Sequence, residues 1–550
     1  MAFSGDTVRM SGTQDLPSTP RYQQLATRLK AEMATGQLVP GQRLPSLRRQ
    51  AALSGLGLNS VIRAYGELES AGFLVTVPRR GFQVAAAAAP PSSASRDHDA
   101  APSRCTPLAT PSLAIDDPAW QAMAHASDPA LAPLGAAHPE LDAPAVRRLY
   151  RLVRQKLKHH AESPSAYALP PGSPALREAI ASHLSHHGHH CHGDTLLLCQ
   201  GAQQGMSLIL RQWRASRGRC RIGIEAPGYF GMLAAVEANG HEAIALPTHA
   251  GSGLDIEALA RLLEEGEARQ MDRRQTCAGK TRPEMPPTAG HRHGKAALDA
   301  LIVSPDCHNP LGGQLSLTDR DRLLKLAQRH GVQIIENATF AELSFDTRLP
   351  WLMDLHQRQT TPLGQTISPE QAPGVITVGS LSKTLDPRAR CGWVWLPRSE
   401  SVTPDAELGM QGLIRARWAD GMGDMPWMHA ALAELIASGD YGRHVHRMRR
   451  CYAKRLQLLR ETLASALGDG VWLPGVSGGY LQWCGLPGLD GAALSRLHRE
   501  LLEAGIATLP GYLFKAVSPG LRLNAAQLQD DETLARLTKT LRNALHGADA

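Results

Sequence analysis

The residues best equipped for chemistry in this 550-residue chain lie in the stretch "VITVGSLSKTLDPRARCGWVWLP". An apolar run from Val375 to Val378 reads as a buried strand. Directly after it come Ser380, Ser382 and Lys383, with Arg390 seven residues further on. A lysine so placed can form a Schiff base with a carbonyl, and two hydroxyls with a guanidinium beside it can hold a phosphate. A lone lysine after a strand is more often a solvated surface residue, so this reading depends on what the rest of the chain supplies.

Several other stretches bear on it. "GVQIIENATFAEL" (Gly331 to Leu343) reads as a helix end, a buried strand and a turn of small polar residues that carries Asn337 and Phe340. "HLSHHGHHCH" (His183 to His192) packs seven His or Cys into ten positions. Imidazole and thiolate bind zinc or nickel well, but the stretch follows a helix and reads as a polar surface loop, with no functional metal site expected. Asp319 and Asp321 in "SLTDRDRLL" read as helix-start charge rather than a metal pair, and Leu323, Leu324, Leu326 and Ala327 as core.

The elements that must position these residues can be outlined from pattern. A chain of this length is too long for one core and suggests two to four domains. No apolar run approaches the roughly 20 residues of a membrane helix. The N-terminus lacks the charged start and apolar stretch of a signal peptide. The nine cysteines show no regular framework, as expected of reduced thiols. The expected location is the cytoplasm. From about Leu113 to the C-terminus, helical and strand patterns alternate as in an α/β domain. Residues 267–296 and 356–373 are polar insertions expected to be exposed loops. Residues 85–112, rich in Ala, Pro and Ser, read as a flexible linker spanning ~30 Å on average.

The segment ahead of the linker, residues 18–84, holds nine Lys/Arg against three Glu between Pro20 and Val84, nearly the whole net charge of +7. Such a footprint points to phosphate contacts. Tyr22, Leu25, Ala26, Leu29 and Met33 are spaced as one helix face, with Thr19 and Pro20 suited to its start and Gly36 to its end. Ser46 can cap a short helix to about Leu53. A third helix, from about Asn59 to Ser70, ends at Gly72 and would turn Val61, Ile62, Tyr65 and Leu68 inward. "FLVTV" and "FQV" around Pro78-Arg79-Arg80-Gly81 make a hairpin. Three short helices and a two-stranded wing form a winged helix-turn-helix whose third helix would enter the major groove. The expected DNA-facing set is Ser46, Arg48, Asn59, Ser60, Arg63, Arg79 and Arg80. Asn suits an adenine edge, and Arg48, Arg79 and Arg80 suit phosphates or a guanine.

"PGQRLPSLRRQA…LNSVIRAYGELESAGFLVTVPRRGF" resembles the GntR-type winged helix. Residues 113–550 resemble fold-type I pyridoxal-phosphate (PLP) aminotransferases, with motifs in the family's order. "YALPPGSPALREAIASHL" offers Tyr167 to a partner subunit's phosphate. "CQGAQQGMSLIL" resembles the phosphate-cradling turn, with the backbone of Gly201, Ala202 and Gln203 at a helix N-terminus. "EAPGYFGML" puts Tyr229 on the ring face, and "SPDCHNPLGGQLS" puts Asn309 at the ring hydroxyl. The resemblance makes Lys383 the Schiff-base lysine, places Ser380, Ser382 and Arg390 in the phosphate cup, and assigns Arg522 the carboxylate of an effector. The combination resembles the MocR group of bacterial transcription factors, in which the large domain senses PLP, an amino acid or an amine and dimerises head-to-tail. The fold implied is multidomain: an α+β winged helix-turn-helix followed by an α/β fold-type I domain.

One turn departs from the enzyme pattern. Where the aminotransferases have an aspartate and a tyrosine against the cofactor ring, this chain has Asn337 and Phe340. An amide can bond the ring nitrogen but cannot hold its proton by charge, and a lost buried hydrogen bond costs about 1–3 kcal/mol. The reading is a DNA-binding regulator, a homodimer, that holds PLP as an aldimine at Lys383 with little or no transaminase turnover. Two alternatives stay open: a working aminotransferase with a DNA-binding appendage, and a regulator whose altered site no longer binds PLP.

Overall fold

The structure, a computed structural model, describes residues 21–35, 37–39, 41–70, 73–77, 81–84, 117–160, 167–277, 297–345, 348–360, 374–397, 409–528 and 530–546. The chain falls into two compact units on either side of residue 112. No helix among the described residues is long and apolar enough to cross a membrane.

The N-terminal unit consists of helices α1 (Arg21–Ala34), α2 (Leu47–Ser54) and α3 (Leu58–Ser70) and strands β1 (Leu74–Val77) and β2 (Gly81–Val84). Ser46 caps α2 by accepting from the Arg49 N–H, and Gly55, at φ 63, closes it in the left-handed conformation. Val61, Ala64, Tyr65 and Leu68 are fully buried against Leu25, Leu29 and Met33 of α1. Ile62, expected to face inward, is 46% exposed, and Ala64 takes its place. Positions 61, 64, 65 and 68 share one helix face, whereas 62 lies about 100° round from it. The Tyr65 hydroxyl donates to the Pro45 carbonyl at 3.1 Å, and its ring meets Phe82 edge-on. β1 and β2 pair antiparallel, and residues 42–44 add to the outer edge of β2 through bonds between Leu44 and Phe82 and between Val84 and Gln42. Thr19, Pro20, Gly36, Gly72, Pro78, Arg79 and Arg80, like the expected linker 85–112, lie outside the described residues.

The larger unit is built on an eight-stranded sheet of β3 (Leu196–Cys199), β4 (Arg221–Ala226), β5 (Glu242–His249), β6 (Gly253–Leu254), β7 (Ala300–Val303), β8 (Gln333–Asn337), β9 (Val375–Ser380) and β10 (Gly392–Trp395), in the order β3-β10-β9-β8-β7-β4-β5-β6. The five strands β9-β8-β7-β4-β5 run parallel, and β10 is antiparallel to both neighbours. Every residue of β3, β7, β9 and β10 is buried, as expected of a largely parallel sheet covered on both faces. A second sheet joins β11 (Leu481–Gly485), β12 (Leu509–Pro510) and β13 (Gly520–Asn524) in the order β11-β13-β12. Ser316 and Asp319 cap the helix Leu317–His330, and Leu323, Leu324 and Ala327 face the core. The two polar insertions are in part helical: helices Ile256–Cys277 and Leu352–Thr360 run into them, and residues 278–296 and 361–373 lie outside the described residues.

Leu68, fully buried in the N-terminal core, carries a testable consequence. Leu68→Ala should lower the hydrogen-exchange protection of α3 in the full chain by about 2–5 kcal/mol. Ile62→Ala, at an exposed position, should leave that protection nearly unchanged.

Candidate functional site

In an open parallel sheet, side chains at the carboxyl ends of the strands meet at one edge, where ligands bind. Here β8 ends in Asn337 and β9 in Ser380, β7 runs into Ser304, and the turn after β4 carries Tyr229. Because Gly392 of β10 pairs with both Cys199 and Ser380, Arg390 and Gly201 arrive at the same edge. These residues, with Ala202, Gln203, Asn309, Ser382, Lys383 and Arg522, line one cavity of about 160 Å³. Tyr167, 72% exposed, does not line it.

One wall is a cradle for an anion. Gly201 sits at φ 96 ahead of the helix Ala202–Arg217, whose N-terminus has no side-chain cap. A Cβ on Gly201 would come 3.3 Å from Arg390 Nη2, so the glycine lets the guanidinium close over the helix end. Arg390 itself adopts φ 45 and donates to the Gln200 carbonyl. The Ser380 hydroxyl bonds the Ser382 hydroxyl at 3.0 Å and the Cys391 carbonyl at 3.1 Å. Uncapped N–H groups, two hydroxyls and an arginine together fit a phosphate.

Lys383 Nζ donates to the Ala137 carbonyl at 2.9 Å, which also accepts from the Tyr480 hydroxyl at 3.1 Å. Burial, with Arg522 and Arg390 nearby, pushes the lysine down to about 7. Arg522 is 1% exposed; its Nη1 donates to Asn309 at 2.9 Å and its Nη2 to the Gly135 carbonyl at 2.5 Å, while its buried Nε has no partner among the described residues. Residues 132–138 thus lie across the site, since Asn524 also bonds the Ala136 and His138 carbonyls. Neither Ala137 nor His138 had a signal in the sequence: the segment has no motif and meets Lys383 nearly 250 residues away.

The turn after β8 holds neutral groups. Asn337 donates from its amide to Ser304 Oγ at 3.2 Å and accepts from Thr339 Oγ1 at 2.8 Å. Phe340 is buried with its ring 5.4 Å from that of Tyr480. The sequence reading counted a hydroxyl as lost at Phe340; the structure places the Thr339 hydroxyl on Asn337, one residue earlier, and both residues line the cavity. Behind Ser304, buried Glu225 accepts from the Ser304 N–H at 2.8 Å, and burial pushes it up to about 8.

The histidine-rich stretch is not the exposed loop expected. His183 belongs to the helix Pro174–His186 and is largely buried, His189 is buried on Asp354 at 2.7 Å, and Cys191 is in the core. Of its histidines, only His186, His190 and His192 are exposed.

Residues 140–541 match the aminotransferase class I and II family, and residues 21–84 match the bacterial regulatory proteins of the gntR family. The chain therefore belongs to the class I and II aminotransferase family over most of its length, and it carries a gntR-type helix-turn-helix ahead of that domain in the sequence, as transcription regulators similar to the MocR type do. It is 26% identical to the HTH-type transcriptional regulator YjiR of Escherichia coli K12, covering 96% of this chain and 99% of that one. It is 26% identical to the probable rhizopine catabolism regulatory protein MocR of Rhizobium meliloti, over 82% and 79% of the two chains. Among solved structures, Pyrococcus horikoshii kynurenine aminotransferase in complex with PMP superposes with a TM-score of 0.61 at 20% identity, over 78% of this chain and 95% of that one. That likeness bears on the fold.

The lowered lysine gives a pH dependence. Only the neutral amine adds to an aldehyde, so Lys383 should react with a small aldehyde at a rate that rises with pH and levels off near 7 rather than near 10.5. Borohydride trapping and peptide mass spectrometry across pH check this; a plateau near 10.5 would show an ordinary, solvated lysine.

Proposed function

We propose that this transcription regulator binds DNA through its N-terminal unit and holds PLP at Lys383 in its aminotransferase-like unit. There it reports the arrival of PLP or an amino compound, with little or no transaminase turnover. The observation that carries the reading is a site with its attaching and anion-holding groups in place and an amide at the ring-nitrogen position. PLP supplies an aldehyde to which amines attach reversibly and a ring that weakens the attached Cα–H bond as far as its nitrogen stays protonated.

The chain's own groups support attachment. The uncapped helix end, Ser380, Ser382 and Arg390 would take the phosphate, and Tyr229 would cover the ring. Lys383, neutral in good part near pH 7, needs only to leave the Ala137 carbonyl. The unpartnered Arg522 Nε offers one bond to a carboxylate at once. A second requires Arg522 to release Gly135 or Asn309, so an amino acid would loosen residues 132–138 as it binds. That displacement gives the ligand different contacts in two states, which any ligand-driven switch requires. Asn337 provides no negative charge to keep a proton on the ring nitrogen. Glu225, buried on the Ser304 N–H, is held largely neutral at pH 7.

On the DNA side, Arg48, Asn59 and Arg63 are exposed, and Ser60 is partly so. Arg63 also lies 4.2 Å over the Tyr22 ring, which orders it on the surface of α3. A homodimer fits the paired half-sites such domains read.

Two experiments test this reading. Purified protein mixed with PLP should develop a visible absorbance band that Lys383→Ala abolishes; a chain that stays colourless in excess PLP would overturn the cofactor assignment. On DNA from the protein's own promoter region, Arg48→Ala should weaken binding at all sequences and reduce the salt slope by about 1. Asn59→Ala should cost about 1–3 kcal/mol, chiefly as lost sequence preference. Unchanged shifts with both variants would move the recognition surface elsewhere.

A further inference from the structure

The helix Pro174–His186 ends with two histidines one turn apart, His183 and His187, whose rings lie 4.6 Å apart and nearly perpendicular. Spacing of i and i+4 sets two imidazoles side by side on one helix face. Opposite them the chain delivers Glu342, 159 residues further on, from the 3-10 turn Ala341–Leu343 that directly follows Phe340. The ligand atoms of His183, His187 and Glu342 all lie within 4.8 Å of one another. From this geometry we infer that His183, His187 and Glu342 form a binding site for a divalent zinc-class metal ion.

Three further features of the structure support the assignment. Two imidazoles and one carboxylate, with a position left for water, form a three-ligand set that borderline ions such as Zn(II) accept. The carboxylate is already supported: Glu342 Oε2 accepts from the Tyr441 hydroxyl at 2.5 Å, and Tyr441 in turn bonds Thr384 at 2.8 Å. That is the outer-shell hydrogen bonding that fixes a ligating carboxylate, and it leaves Oε1 for the ion. Finally, His187 and Glu342 open on a second cavity of about 210 Å³, which also has Arg348 and Arg358 in its lining and shares Asp306 with the Lys383 cavity. A fourth ligand there would be water or a small anion.

The site has a resting form and a loaded form. At rest, His183 Nε2 and Glu342 Oε1 share a hydrogen bond of 2.5 Å. An arriving M²⁺ takes the place of the bonding proton, which leaves to solvent, and coordinates a ring nitrogen of each of His183 and His187 and the Glu342 carboxylate oxygen. The three atoms then draw to the ~3.4 Å separations of a tetrahedron with ~2.1 Å bonds. Glu342 ties this event to the turn carrying Asn337 through Phe340 and, through Tyr441, to Thr384 beside Lys383. Binding itself does not depend on the PLP reading.

The exposed His186, His190 and His192 are the competing explanation for any metal uptake, so the test separates them. Untagged full-length protein is titrated with Co²⁺, followed by its visible d–d absorption, and with Zn²⁺ by calorimetry. One ion per chain is expected, with the absorption of a four-coordinate Co(II) centre that Zn²⁺ displaces. His187→Ala should remove that absorption and weaken binding by more than about tenfold. Glu342→Gln should do the same, and a metal-free melting curve like wild type shows that each variant is folded. The triple variant His186→Ala, His190→Ala, His192→Ala should bind as wild type. The proposal is overturned if no saturable binding occurs, or if binding survives His187→Ala and is lost in the triple variant. Should Glu342→Gln fail to fold, His187→Ala and His187→Gln decide the matter.

Discussion

Three cationic side chains, Lys383, Arg390 and Arg522, converge on one cavity. The one carboxylate among its described lining residues, Asp306, is already bonded to Arg320 at 2.6 Å. Arg522 is fully buried and Lys383 largely so, while Arg390 stays exposed at the rim. Buried positive charge without a counter-charge is costly, and a protein relieves it by shedding a proton or by binding an anion. The first response is visible in the lowered lysine, and the cradle beside Arg390 is suited to the second. Lys383 is pushed down to about 7 and Arg522 to about 10, and the helix end beside Arg390 adds further positive potential. A phosphate at the helix end and a carboxylate at Arg522 would supply the missing counter-charge.

The opposite wall is deliberately uncharged. Asn337, Thr339 and Ser304 form a chain of neutral hydrogen bonds. Behind them Glu225 is raised to about 8 and the His308 next to it is lowered to about 3, burial being the first cause in each case. The cavity therefore attracts anions strongly on one side and exerts little charge on a ring at the other. Attachment of an amine needs only the first property; drawing the Cα proton from that amine needs the second wall to be negative. A regulator benefits from that division, because the ligand persists long enough to alter what the chain contacts. Residues 132–138, held by Arg522, Asn524 and Lys383, are the contacts such a ligand would disturb.

Much of this was legible in the sequence where one short stretch carries its own evidence. Lys383 with its serines, the glycine turn before Ala202, and the helix-turn-helix with its basic excess are all local patterns. What was not legible depends on approach between distant segments. His138 and Ala137 reach the lysine only because the chain ahead of the helix Pro144–His160 crosses to β13. Ile62 was assigned inward because it is apolar, although the face defined by Val61, Ala64, Tyr65 and Leu68 excludes it. Phe340 drew attention as a missing hydroxyl, while Thr339, one residue earlier, supplies one to Asn337. The histidine-rich stretch looked like solvated loop by composition alone; Glu342, which bonds His183 and lies close to His187, is 155 positions or more away.

The central claim, that the site exchanges amines but does not turn them over, is tested most directly at the Cα–H bond. PLP-loaded protein is incubated with an amino acid in D₂O, and Cα–H loss is followed by proton NMR while the visible spectrum reports attachment. Wild type should attach the amino acid and retain its Cα proton. Asn337→Asp, which restores a carboxylate at the ring-nitrogen position, should exchange that proton at least about tenfold faster, or ~1.4 kcal/mol in barrier. Wild type exchanging the proton as fast as Asn337→Asp would contradict the account and make the domain a working aminotransferase.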